Sequence, residues 1–538
     1  VARETAGEQL QRVGVAQQLL VHAEPGDDAG VRGQLTLLGW RLRDGDVDVG
    51  QPLAERRGVA RDRESVHLLP QEEDVWVVHG GESAPDRKSL FISAACAQFT
   101  ETAATTGALS GLTEAAFVLS ADARQGLLVA VAAATRFGAG ILLGTGLAFY
   151  LGRNDASALV VGLVTTAYYL GMTVFSPFWG AVADVTGRRR TVLVVTGVGA
   201  SVAILPLFLF EGVWAPVVSR GLYAVFAVGF APVMLAVVSA RGGDEGRGRA
   251  LGFFNSARAA GFTGGQLTVG LLLGMLAPQG LYGVIVAVSL LSTLVVVFLD
   301  DSDTPRPDSQ PTVSELLAEV RRRLLPAVDE RDHLRRNGLW MLYVALAFRN
   351  ATVIGMMGLM PVYLPKTLGI SEVVMGAILA INPASQTVFM LLFGRVADSW
   401  GRKPLVVGGI VGSGLFALVA AAATLFTGPL RLVVAGLSFV VIAGAFSAMT
   451  TGALAFIGDV APAERESELM GLRSTAKGVG GVVGPVVIGG IATVAGYPTA
   501  FALGSSMAFL AAGLAAWKLV ESRDGVVMPG RRVAAADD

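Results

Sequence analysis

The chain has 538 residues, 53% hydrophobic and only 16% charged, with a mean hydropathy of +0.58. Soluble globular chains carry about 25% charged residues, so an ordinary soluble protein is excluded. The net charge of −1 is uninformative because the two signs segregate by loop, and the single cysteine, Cys96, excludes an intrachain disulfide.

Residues 1–120 are polar and charged, with stretches such as Arg56-Arg57 and Arg61-Asp62-Arg63-Glu64. No basic cap followed by a continuous apolar run and a small-residue cleavage site marks a signal peptide. The first methionine is Met172, deep in an apolar run, so this extension reads as a disordered tail or as sequence outside the native protein.

From Leu127 the character changes. Twelve apolar spans are predicted, at 127–151, 158–182, 191–211, 214–239, 254–275, 280–299, 339–364, 373–396, 404–427, 431–457, 478–496 and 499–519. Each is close to the ~20 residues that cross a ~30 Å hydrocarbon layer as a helix. Helices are required there, because each backbone amide must be satisfied within its own segment. Four domain segments follow after the extension: an N-terminal bundle at 121–299, a linker at 300–337, a C-terminal bundle at 338–520 and a tail at 521–538.

Between the second and third spans lies Gly180-Ala-Val-Ala-Asp184-Val-Thr-Gly187-Arg188-Arg189-Arg190. It returns between the eighth and ninth as Gly394-Arg-Val-Ala-Asp398-Ser-Trp-Gly401-Arg402-Lys403. Glycine allows the tight turn, and the basic cluster belongs on the cytoplasmic side. Arg241, Arg247, Arg249, Arg465 and Arg473 are assigned to loops on that same side, whereas the other carries little beyond Arg153, Lys366 and Arg431. Both ends of the bundle are therefore expected in the cytoplasm of a multi-pass plasma-membrane protein. In the linker, Thr312-x-x-Glu315 offers a capping box. Leu316, Leu317, Val320 and Leu324 share a face beside Arg321, Arg322 and Arg323, which suits either an interfacial helix or a solvated basic linker.

The repeat extends further. Arg136 to Tyr150 in the first span matches Arg349 to Tyr363 in the seventh, and Ala257-Arg258…Gly261-x-x-x-Gly265 matches Ala476-Lys477…Gly480-x-x-x-Gly484. Two six-helix halves of common design follow. The doubled loop resembles the signature of the major facilitator superfamily of transporters, over about residues 127–520. That resemblance implies an all-α polytopic fold of twelve helices in two pseudo-symmetric bundles. It also implies a central cavity lined by the first, fourth, seventh and tenth helices, with Asp459 as a gate partner of Arg402 or Lys403. Arg220 is similar to the arginine of a fourth-helix motif of proton-coupled members, although Tyr223 and Ala224 depart from that motif. Gly480, Gly484 and Pro485 are similar to an antiporter motif that belongs on the fifth helix, where Gly261 and Gly265 stand without the proline. Small residues four apart allow close helix packing in either case.

No span has Asp, Glu or His in its interior, so the cavity reads as cationic. Arg136, Arg349 and Arg220, with Tyr168, Asn382 and Gln386, are the candidate solute-binding residues. The two symmetry-related arginines could clamp a carboxylate or phosphate, or could brace neighbouring helices. The expected function is alternating-access transport of a small organic anion or zwitterion. Proton-coupled efflux of drug-like amphipaths is the near alternative, and a solute sensor or scaffold the alternative of a different class. An enzyme is not expected, since the spans hold no catalytic set, metal cluster or phosphate loop. Expected partners are the solute, the bilayer and a coupling ion, proton or sodium. A monomer without cofactor, metal or nucleic acid is expected.

Overall fold

The computed structural model describes residues 40–43, 46–49, 121–300, 312–324, 332–462 and 465–523. The expectations for the rest of 1–120, for 301–311 and 325–331 of the linker, and for 524–538 of the tail lie outside the described residues. The first unit of the chain shows one antiparallel hairpin, with β1 Trp40–Arg43 paired to β2 Asp46–Val49 and Trp40 opposite Val49.

The second unit is helical. In chain order its elements are α1 Ala121–Arg153, α2 Ala158–Thr186, α3 Arg189–Val202, α4 Pro206–Leu209, α5 Trp214–Ala227, α6 Phe230–Met275 and α7 Pro278–Val297. The linker helix α8 Val313–Leu324 and the short α9 Asp332–Arg335 follow. Then come α10 Leu339–Val362, α11 Glu372–Trp400, α12 Arg402–Ala422, α13 Gly428–Val460, α14 Glu466–Ala495 and α15 Tyr497–Lys518. Among the described residues, eleven helices are long and apolar enough to cross a membrane. The twelfth expected span is the second part of α6. Gly243, at φ 57° and ψ −165°, breaks that helix and separates the fourth span from the fifth.

Two boundaries differ from expectation. Arg241, Arg247 and Arg249 lie within the helical segments of α6. Helix α14 begins twelve residues before the expected eleventh span, which places Arg473 inside a helix rather than in a loop. Polar residues facing water end an apolar run without ending a helix. In the linker, both capping-box bonds are present: Glu315 N donates to Thr312 Oγ1 at 3.3 Å, and Thr312 N donates to Glu315 Oε2 at 2.9 Å. Trp214, Trp340, Trp400 and Trp517 are exposed near span ends, where amphipathic rings suit the lipid–water boundary.

The buried apolar residues fall into one large shared core and two principal separate ones. The shared core joins Leu143, Leu147, Val161 and Ile285 of the first half to Met356, Leu359, Phe439 and Phe501 of the second. It occupies the end of the bundle opposite the basic loops. At the basic end the first half has its own core around Phe254, Met234 and Leu193, and the second has another around Leu342, Ile410 and Phe456.

The contacts between halves follow the same division. At the far end Lys366 Nζ reaches Asp155 Oδ1 at 2.6 Å and Gly152 O at 3.3 Å. The hydrogen bond and charge of Lys366 hold the Asp155 carboxyl below its ordinary value. Leu159 N donates to Thr493 Oγ1 at 2.9 Å, and Thr166 Oγ1 donates to Val482 O at 3.0 Å. Gly270 and Gly376 meet so closely that a Cβ on either would come within 2.8 Å of the other's Cα. Gly478 lies against Thr173, midway along α2. Further along α2, Asp184 accepts from Arg323 of the linker helix at 2.9 Å. The halves share a core at the far end, and each keeps its own core at the basic end.

Candidate functional site

An arginine in a membrane-spanning helix costs roughly 2.5–3.5 kcal/mol on insertion scales and so requires partners. Arg136 finds them on α7: Nη1 donates to Ser289 Oγ at 2.9 Å and Nη2 to Thr293 Oγ1 at 3.1 Å. Ser201 of α3 also reaches Ser289, at 2.8 Å, and Phe230 lies 5.8 Å from the guanidinium carbon. Gly197 leaves the necessary space, since a Cβ there would come 2.7 Å from Arg136 Nη2.

Arg349 is placed in the same manner in the second half. Its Nε donates to Ser413 Oγ of α12 at 2.8 Å and its Nη1 to Asn350 Oδ1 at 3.2 Å, with Phe446 5.6 Å from Cζ. It is 1% exposed, and its Nη2 has no hydrogen-bond partner. The two arginines thus engage side chains of their own halves, and no hydrogen bond joins them.

Arg220 and Tyr168 are brought together. The guanidinium carbon stands 4.4 Å from the Tyr168 ring and 5.4 Å from that of Tyr223, within the range of a cation–π contact. Nη1 donates to Gly140 O at 3.0 Å. A Cβ at Gly144 would come 2.8 Å from Arg220 Nη2, so glycine is needed where the side chain crosses α1. Tyr169 continues the aromatic group, 5.6 Å from Tyr168, and its ring covers the backbone of Gly481 on α14. Asn382 and Gln386 form a separate pair on α11, where Gln386 Nε2 donates to Asn382 Oδ1 at 2.9 Å.

Three further cations border the parted end. Lys477 is exposed, one residue from the Gly478–Thr173 contact, and Arg473 lies a turn before it on α14. Arg258 of α6 and Arg349 complete the group, all within electrostatic range of Lys477. Neither Lys477, Arg473 nor Arg258 makes a hydrogen bond or ion pair with a described residue. Only the repeat of Arg258 and Lys477 ahead of matching glycine pairs could have disclosed them from sequence.

The two copies of the doubled loop are built differently. In the first, Gly187 closes α2 in the left-handed region at φ 62°. Asp184 Oδ2 pairs with Arg323 at 2.9 Å, and its Oδ1 stands 3.9 Å from Arg189. A Cβ at Gly180 would come 2.9 Å from an Arg323 nitrogen. Arg323 also meets Glu319 at 2.7 Å, and the Glu319 carboxyl lies below its ordinary value; burial raises it, but Arg323 and Arg322 outweigh that. Arg188 stands at the N-terminus of α3 and makes no side-chain cap there.

In the second copy, Asp398 occupies the last turns of α11, and Gly394 begins the same stretch. Arg402 Nε pairs with Asp459 Oδ2 at 3.0 Å, and Ser522 Oγ donates to the same oxygen at 2.8 Å. Glu521 accepts from Arg402 N at 2.8 Å and Lys403 N at 3.0 Å, capping α12. A Cβ at Gly401, whose φ is 92°, would come 2.6 Å from that carboxylate.

The glycine pairs are interfaces within each half. Gly261 and Gly265 of α6 lie on Ala134 and Gly138 of α1, and Gly480 and Gly484 of α14 lie on Ala347 and Ala351 of α10. Pro485 is inside α14, and its carbonyl meets Gly162 across the halves.

The comparisons agree with this architecture. The solved nucleoside transporter NupG superposes with a TM-score of 0.61 at 15% identity, over 73% of this chain and 99% of that one. A tetracycline resistance protein, class H, of Pasteurella multocida is 30% identical over 154 residues, 28% of this chain and 36% of that protein. The multi-drug resistance efflux pump PmrA of Streptococcus pneumoniae is 31% identical over 140 residues, 26% of this chain and 33% of its own. The chain therefore spans about a third of the length of these curated relatives. The sequence profile of the Major Facilitator Superfamily matches residues 126–381 and 350–532. The chain is a member of the Major Facilitator Superfamily.

Proposed function

We propose that this protein carries a small organic anion or zwitterion across the plasma membrane by alternating access, and that the state described here is open to the cytoplasm. The observation that supports this most is the division of the core: one cluster shared between halves at the far end, and one for each half at the basic end. Two rigid halves joined at one end and separated at the other can rock about a solute between them. The excess of basic residues at the open end supports its facing the cytoplasm.

The solute is held between Arg220 with its tyrosines and Arg349, whose free Nη2 can bind an oxygen atom once the solute arrives. Arg136, with Ser289 and Thr293 on its two Nη atoms, braces the first half. Asp184 and Asp398 with their basic neighbours, together with Asp459, act as latches at the cytoplasmic end.

Flux of labelled organic anions into proteoliposomes tests the reading. Arg349→Ala and Arg220→Ala should each abolish saturable flux, whereas Arg349→Lys should retain part of it. Full anion flux in both alanine variants, or a preference for cations, overturns it. A second reading, export of drug-like amphipaths, is supported by the identity to the tetracycline resistance and PmrA proteins. Raised drug tolerance on expression, lost when the proton gradient is collapsed, would favour it.

A further inference from the structure

We infer that Arg258, Arg473 and Lys477, together with the free edge of Arg349, form an oxyanion site at the mouth of the parted end, suited to a phosphate dianion or a phosphorylated solute. This rests on the transport reading and narrows its substrate class. Lys477 stands at the level where the halves separate, because the next residue, Gly478, still touches Thr173 of the opposite half. Arg473 lies four residues earlier on α14 and so on the same helical face. Gly480, one turn further in, packs on α10, where a Cβ would come 2.7 Å from Asn350 Cβ; this brings Arg349 beside the group. Arg258 faces them from α6 of the first half, so the set draws on both halves.

The charge balance indicates the ligand. Arg258, Arg473 and Arg349 all lie within electrostatic range of Lys477, and no described carboxylate pairs with any of the four. The desolvated Arg349 Nη2 lacks an acceptor altogether. A monoanion would leave most of the repulsion in place. A dianion with several oxygens can accept from guanidinium forks and an ammonium together, which is the geometry phosphate offers. Phosphate thus offsets half the charge of the mouth, which chloride cannot. Because Arg258 and Lys477 stand in different halves, an occupied site also draws those halves together at the open end.

The test uses the full chain in lipid nanodiscs and isothermal titration with inorganic phosphate at fixed ionic strength. Phosphate should bind saturably, and chloride should not. Lys477→Gln and Arg258→Gln should each weaken phosphate binding by roughly tenfold or more. Lys477→Arg should bind within a few-fold of the parent, and Arg153→Gln, at the opposite end of α1, should match it. Phosphate binding no tighter than chloride, or unaltered in Lys477→Gln and Arg258→Gln, overturns the site, as does binding of a dicarboxylate in preference to phosphate. Size-exclusion profiles and chloride-independent melting of each variant separate misfolding from lost binding.

Flux distinguishes this inference from the function it rests on. Phosphate binding without any solute flux leaves the site standing and removes the transport reading; anion flux that needs Arg349 without phosphate binding does the reverse. Both sources of the phosphate group support the site. Exchange of labelled phosphate across proteoliposomes identifies the free ion, and movement of a phosphate monoester alone identifies the headgroup of the solute.

Discussion

The two copies of the doubled loop have nearly the same residues and different partners. In the first, Asp184 is held from outside its half by Arg323 of the linker helix, itself steadied by Glu319. In the second, Arg402 pairs with Asp459 within its half, and Glu521, just beyond the last helix, caps the following one. Duplication supplied both halves with the same turn, and the segments that are not duplicated, linker and tail, made them unlike. The first copy can come free by moving one surface helix. The second is tied to its own bundle through Asp459 and Glu521.

The largest effect that would sharpen this contrast is at Arg402. Its side chain is 17% exposed, and removal leaves Asp459 with Ser522. Arg402→Ala should lower stability by about 2 kcal/mol, read as a fall in melting temperature in detergent. A melting temperature equal to the parent's would remove the distinction between the copies.

Glu521→Gln comes next, at about 1 kcal/mol near neutral pH, as for a weakened helix cap. Burial raises the Glu521 carboxyl, but the backbone N–H groups of Arg402, Lys403, Ser522 and Arg523 prevail and hold it below its ordinary value. Its contribution is thus fully present above the unfolded glutamate value of about 4.3 and is lost as pH falls through the lower folded value. In Glu521→Gln that part of the acid limb of the stability profile should be flat.

Arg323→Ala should change stability by less than about 1 kcal/mol, since the Arg323–Asp184 pair is partly solvated. Its effect belongs on motion. Spin labels on α8 and on the basic end of α2 should report a broader distance distribution, and Asp184→Asn should reproduce it. An unchanged distribution in both would show that the linker is held by something else.

The smallest effect is expected at Lys366 and Asp155. Because the pair joins the halves through an exposed side chain, Asp155→Asn should raise labelling of a cysteine placed at Leu159 by no more than about fivefold. High salt should produce the same rise in the parent. Since Lys366 keeps the Asp155 carboxyl below its ordinary value, the pair persists at neutral pH and is lost only as pH falls through that lowered value. A rise in labelling between pH 8 and 6 would contradict this.

The spans were legible because hydrocarbon imposes a length and polarity on any segment that crosses it. Where the sequence misled, water was the cause. Arg473 and Lys477 interrupt the apolar run of α14 without ending the helix. The break at Gly243 falls inside the loop expected between the fourth and fifth spans, but the helix continues on either side of it. The candidate site was half legible. An arginine within a span announces that it has partners but not which, and those of Arg136 lie 153 and 157 residues away on α7. Arg220 and Tyr168 come from neighbouring helices and do meet.

The clasp at Glu521 has a consequence for biosynthesis. The start of α12 is made more than a hundred residues before the carboxylate that caps it. During translation this helix enters the membrane with two amides uncapped, and they stay so until the ribosome has passed Glu521. A nascent chain released before that point leaves the turn at Gly401 open and accessible to proteases.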